Sequence, residues 1–220
     1  MMIRKHQLRM IRNLTVTALL LALLWWTVDC PLPTTEMELH RVERQRMMEE
    51  STVVFRCESE GELIDPTMLV GVTEDSVHTS SHTHFLNIWP REPEGPTLVI
   101  LPSELRYSGL SISPLTIGLV AVDPPSRAQS ARLTLTLAVA GEEMDYIMEA
   151  QRQEQVFFFQ LESRYPNVTA SSGSAAVQAA EAEKDAFSDL FHWTGATRPM
   201  PPYTLEFFGA DGELIQTSTN

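Results

Sequence analysis

The sequence predicts a mainly β protein: an N-terminal transmembrane helix and a short stalk, then an antiparallel β-sandwich-like domain with one helix in its C-terminal half. Three observations carry this expectation. The chain opens with basic residues followed by an uncharged apolar run. From Ser51 onward apolar residues recur with a period of two, and Gly, Pro, Asn and Asp clusters separate those runs at short spacing.

The first element is the apolar run. Arg4, Lys5, Arg9 and Arg12 precede it, and residues 13–28 carry no formal charge, with a core of Leu19, Leu20, Leu21, Ala22, Leu23, Leu24, Trp25 and Trp26. A helical rise of about 1.5 Å per residue gives it ~24 Å against a hydrocarbon layer of ~30 Å. Snorkelling of Arg9 and Arg12, with the Trp pair at the other interface, would make up the difference. Basic residues before the run place the N-terminus in the cytoplasm. A cleaved signal would need small residues after the run, and Thr27, Val28, Asp29 and Cys30 do not supply them. Val28 and Asp29 likewise stand where a lipid-modified Cys30 would need small residues. The expected organisation is a cytoplasmic segment 1–12, a signal-anchor 13–28, a linker and stalk 29–50, and an extracytoplasmic domain 51–220.

Residues 31–35 hold two prolines and read as an extended exit. Residues 36–50 are helix formers with interleaved charges and a thin apolar stripe at Leu39, Val42 and Met47, which predicts a solvated stalk helix. Val53, Phe55 and Cys57 then alternate with Val54, Arg56 and Glu58 as a first strand. Further strands are expected at 68–73, 85–89, 97–101, 115–122, 131–139, 144–149, 155–161, 203–208 and 213–216. The run Val156-Phe157-Phe158-Phe159 is apolar on both faces and belongs at a sheet centre. Asp211-Gly212 between two alternating runs signals a hairpin. Ser174 is placed to cap a helix over 175–191, whose Val177, Ala180, Phe187, Leu190 and Phe191 share a face.

The charge is uneven. All 29 carboxylates follow the apolar run, with 12 of the 16 Lys and Arg. A domain so acidic repels phosphate backbones, which argues against nucleic acid as a partner. The membrane, through residues 13–28, and a protein are the partners expected.

Chemistry has few local signatures. His78, His82 and His84 lie close together behind Glu74 and Asp75, and two of them share a face if the segment is a strand. Three nitrogens of this kind suit zinc. The His82-x-His84 spacing resembles the His-x-His of cupin metal sites, with Ile88 and Trp89 standing where that family places a glutamate. The plainer reading is solvated histidines in a Ser/Thr-rich loop, with no cofactor. Cys30 and Cys57 either pair, closing a loop worth roughly 3 kcal/mol in the chain-entropy model, or Cys57 packs on the first strand's apolar face with Cys30 free. Asn167-Val168-Thr169 is a glycosylation sequon. No Gly-x-Ser-x-Gly, P-loop, Gly-x-Gly-x-x-Gly or His-Glu-x-x-His run occurs. The expected role is therefore a membrane-anchored, extracytoplasmic interaction module. The alternatives are a metal-dependent hydrolase built on the three histidines and a structural envelope tether.

Overall fold

The computed structural model describes residues 2–27, 34–58, 67–80, 86–93, 95–101, 116–165, 168, 172–191 and 200–220. Among them the chain is mainly β, with antiparallel strands throughout and three helices.

Helix α1 (Met2–Thr27) opens the chain. Its apolar side chains are solvent-facing where they are described: Leu14 is 75% exposed, Leu19 65% and Leu23 62%. Among the described residues no helix is long and apolar enough to cross a membrane. The expected transmembrane span is thus not found as such. The physical reason is legible in the helix: Arg9, Arg12, Asn13, Thr15 and Thr17 occupy its middle turns, and the uncharged remainder is short.

Helix α2 (Thr35–Gln45) begins at Thr34, whose side chain accepts a hydrogen bond from the Met37 amide at 3.2 Å. This is the segment read as a solvated stalk, and the structure corrects that reading. Leu39 and Glu43 are fully buried and Glu38 nearly so, while Met47, past the helix end, is 96% exposed. Leu39 and Glu43 sit four residues apart on one helical face, so an acid completes the stripe that Leu39 and Val42 begin.

Two antiparallel sheets follow. The first is β1 (Thr52–Glu58), β2 (Thr67–Val72), β3 (Ser76–Ser80) and β4 (Leu86–Pro90), in that spatial order. A bulge between Val53 and Phe55 shifts the β1 register. Val53 therefore packs with Leu39, Leu69 and Leu86 under α2, whereas Val54 and Phe55 turn to the main core. The second sheet comprises β5 (Thr97–Ile100), β6 (Thr116–Val122), β7 (Ser130–Val139), β8 (Glu142–Gln153), β9 (Val156–Glu162), β10 (Tyr203–Phe208) and β11 (Leu214–Thr219). Its order is β11-β10-β7-β8-β9-β6-β5.

One hydrophobic core takes side chains from both sheets. Phe55, Val70, Val77 and Trp89 come from the first, and Leu119, Leu133, Leu135, Phe157, Phe159 and Phe207 from the second. The Phe triplet behaves as its composition demands. Phe157 and Phe159 are fully buried inward, and Phe158 on the other face stacks on Phe55 with ring centroids 5.4 Å apart. Strand β7 alternates buried Leu133, Leu135 and Leu137 with Arg132, Thr134 and Thr136. Its two-residue turn into β8 is Ala140-Gly141, both at positive φ (54° and 83°), as a type I′ hairpin requires. Helix α3 (Ser174–Phe191) buries Ala180, Phe187 and Leu190, with Phe187 edge-on to Tyr146 at 5.5 Å.

Candidate functional site

The structure brings three acids or acid-rich surfaces to notice: two buried carboxylates and one open cleft. The first carboxylate is Glu43 of α2. His78 of β3 donates Nδ1–H to its Oε1 at 2.7 Å, and the Ser51 hydroxyl donates to the same oxygen at 2.6 Å. His40 Nδ1 lies 2.9 Å from Oε2, and the Ser51 amide donates to it at 3.2 Å. Burial alone would push this carboxyl up, but the hydrogen bonds from His78, Ser51 and His40 outweigh it and hold the pKa below the ordinary value. An ionised carboxylate only accepts, so His78 carries its proton on Nδ1, and Nε2 meets the Ser76 hydroxyl at 2.8 Å. Ser76 in turn shares a 2.8 Å contact with Thr73 Oγ1.

The order carboxylate, imidazole, hydroxyl is that of a nucleophilic triad. Its setting is different. His78 is 1% exposed, Ser76 is tied into the Thr73–Ser76 turn by its own amide and carbonyl, and neither lines the clefts described below. The network therefore fastens α2 to β3 and does not present a hydroxyl to a substrate.

These contacts bear on the alternative metal site at His78, His82 and His84. Both ring nitrogens of His78 are engaged within the protein, leaving none for zinc. Among the described residues no group of three or more His, Cys, Asp or Glu could hold a metal. His82 and His84 lie outside the described residues, as do Cys30 and Asn167. Of Cys57 the structure gives the strand position, opposite Met68.

The second carboxylate is Glu183 of α3, also 1% exposed. Tyr146 of β8 donates its hydroxyl to Oε1 at 2.7 Å, the Arg164 amide donates to the same atom at 3.0 Å, and the Ser163 hydroxyl donates to Oε2. Burial and the Glu183 carboxylate together push the Tyr146 phenol well above its usual range. The Arg164 guanidinium lies over the Tyr146 ring, 4.6 Å from its centroid. Glu183 thus joins β8 to the chain just past β9 from beneath.

Above that strut the second sheet is split. Strands β8 and β9 pair only at Arg152–Phe157 and Gln153–Val156, beside their turn. The ladder alternation identifies what lies along the gap. Arg152 donates its amide to the Gln129 carbonyl at 3.0 Å, so Arg152, Ala150, Met148, Tyr146 and Met144 are the residues bonded to β7. Their neighbours Glu143, Asp145, Ile147 and Glu149 consequently turn N–H and C=O toward β9. On the other side, Leu101 donates to the Gly118 carbonyl at 2.9 Å, which directs Gly118 toward β5. Its β6–β9 partner Gln160, with Phe158 and Glu162, therefore directs its backbone toward β8. Arg164 supports this assignment: its guanidinium donates across the gap to the Asp145 carbonyl.

The gap is a cleft of about 580 Å³ lined by Asp145–Glu149 of β8 and by Phe158, Gln160, Leu161, Glu162 and Arg164. Its floor is apolar, with Tyr146, Met148 and Leu161 buried, while its outer face carries Asp145, Glu149 and Glu162 beside an Ile147 that is 66% exposed. A second opening of about 360 Å³ lies between Val53–Arg56 of β1 and the β8–β9 turn. Sequence reasoning located both strands and missed the cleft, because the pattern of apolar residues states which face is buried and says nothing of where two neighbours stop pairing. No family model, no curated protein and no solved structure matches this chain.

Proposed function

We propose that this protein is a membrane-attached interaction module: α1 holds it at a lipid surface, and the acidic two-sheet body binds another macromolecule on the extracytoplasmic side. One observation carries the reading. Met10, Ile11, Leu14, Val16, Leu19, Leu20, Leu21 and Leu23 of α1 are all at least 49% exposed, whereas the body buries its large apolar side chains with few exceptions. A soluble surface rarely displays so much contiguous apolar area without a use for it. The described helix alone falls short of a span, so a crossing needs the uncharged residues 13–28, with Arg9 and Arg12 reaching the head groups on one side and the Trp pair at the other interface. The four basic residues before the run, Arg4, Lys5, Arg9 and Arg12, agree with an N-terminus on the cytoplasmic side.

Fractionation of cells producing the full chain tests this. The protein is expected in the membrane pellet, resistant to an alkaline wash, and a chain lacking residues 1–28 is expected in the soluble fraction. Recovery of the full chain in the soluble fraction, with its first thirty residues intact by mass spectrometry, refutes the proposal.

A further inference from the structure

We propose that the cleft between β8 and β9 is a strand-acceptor site, taking an extended peptide segment that alternates basic and apolar residues. This inference names the partner class for the interaction module above and rests on that reading of the body as a binder.

The backbone supplies the first half of the case. Two unpaired edges face one another across the cleft, Glu143, Asp145, Ile147 and Glu149 on one side and Phe158, Gln160 and Glu162 on the other. Strands in one sheet ordinarily saturate such edges, and edges left open are templates for another strand. At one point the protein already fills the gap from its own side chain, the Arg164 guanidinium on the Asp145 carbonyl. From Glu143 to Glu149 the open edge runs about 20 Å, enough for roughly seven residues of incoming strand. Glu183 fixes the position of the two sides at the far end, binding Tyr146 on one and Ser163 and Arg164 on the other. The opening is thus built into the packing of α3.

The side chains supply the second half. A strand seated here would point alternate residues inward, over Tyr146, Met148 and Leu161, and outward, between Asp145, Glu149 and Glu162. Inward positions call for apolar groups. Outward ones meet three carboxylates against the guanidiniums of Arg164, in the cleft, and Arg132, on its β7 side. Glu149 is partly matched already by Arg132, at 3.1 Å, and Asp145 receives the Thr136 hydroxyl at 2.7 Å. Glu162 is exposed and makes no ion pair among the described residues, which leaves it the carboxylate most open to a ligand cation. A second copy of this chain, formally −13, would bring more negative charge to the same edge. Charge therefore selects a basic strand over self-association.

The test uses the full chain in detergent micelles and three synthetic seven-residue probes: alternating Lys and Val, the same peptide N-methylated at every second residue, and alternating Glu and Val. Fluorescence anisotropy is expected to show saturable binding of the Lys-Val peptide. Methylation removes the amides along one edge of the peptide and is expected to weaken binding by roughly tenfold or more. The Glu-Val peptide is expected not to bind, and Glu162→Lys, an exposed substitution that spares the fold, is expected to weaken the Lys-Val peptide several-fold while leaving thermal unfolding unchanged. Equal binding of the methylated peptide, equal binding of the acidic one, or no binding at all each overturns the site. So does a dimer, seen by sedimentation, that Glu162→Lys alters. Binding of basic protein that survives both methylation and Glu162→Lys would sink the cleft while leaving the interaction-module reading intact.

Discussion

Replacing Glu43 with alanine is the most informative single perturbation of this molecule, because the stalk reading and the structure assign it opposite costs. On a solvated helix the change would be nearly silent, within about 0.5 kcal/mol. In the structure, Glu43 is fully buried and receives four hydrogen bonds. His40 keeps 23% of its side chain exposed and can turn to water once the carboxylate is gone. The other three donors, His78 Nδ1–H, the Ser51 hydroxyl and the Ser51 amide, are buried and would be left without an acceptor. At about 1–3 kcal/mol for each orphaned donor, tempered by relaxation, the expected loss is about 3–5 kcal/mol, the range found when one partner of a buried charged pair is removed. For a body of this size that is a fall in Tm of roughly 6–20 °C. Urea titration of the full chain in detergent, followed by the far-ultraviolet β signal, measures it. A loss below about 1 kcal/mol would show that α2 does not rely on this contact and would refute the packing described. The pH dependence gives a second check. The carboxyl is more acidic folded than unfolded, so its stabilisation is complete above the ordinary value of 4.5 and disappears as pH falls through the lower folded value. The alanine variant is expected to lack that acid limb.

Two further outcomes follow from neighbouring contacts. A Cβ at Gly71 would lie 2.0 Å from the Ser51 hydroxyl oxygen and 2.7 Å from its Cβ, so Gly71→Ala is expected to cost about 1–3 kcal/mol by overpacking. Because Ser51 is also a donor to Glu43, the double variant should cost clearly less than the two single losses added together, and strict additivity in the urea cycle would contradict the coupling. At the other network, the Tyr146 phenol is raised by burial and by Glu183, so in an ultraviolet titration it is expected to ionise after the other tyrosines. Its stabilisation is present below pH 10, the ordinary value, and is lost as pH climbs toward the folded value; Tyr146→Phe should abolish the last step of the titration.

Much of the fold is written in period and punctuation. The runs at 97–101, 131–139, 155–161 and 203–208 each match an observed strand to within a residue or two, because each alternates cleanly or is uniformly apolar between turn residues. The helix at 175–191 is likewise found, with the face that Phe187 and Leu190 bury. Strand β3 was missed for an understandable reason. Ser76-Val77-His78-Thr79-Ser80 is polar enough to read as a loop, yet four of its five residues are buried, with His78 held between Glu43 and Ser76 and Thr79 accepting from Trp89. Helix α2 was placed but misjudged, since nothing local reveals that Glu43 faces inward. Its buried partners, Ser51 and His78, stand eight and thirty-five residues away. The cleft belongs to the same category, as it depends on where pairing ends between strands that are each individually legible.

The short distance along the chain between α1 and α2 has a mechanical consequence. Helix α1 ends at Thr27 and the cap of α2 is Thr34, so the connecting chain can extend at most roughly 25 Å. Since α2 is bolted into the body through Glu43 and Leu39, no longer leash is available. A body attached through α1 would skim the lipid head groups, hovering within one protein diameter of them. A ligand of such a body would itself have to reach that layer, so a compact partner held far from the lipid would stay out of range.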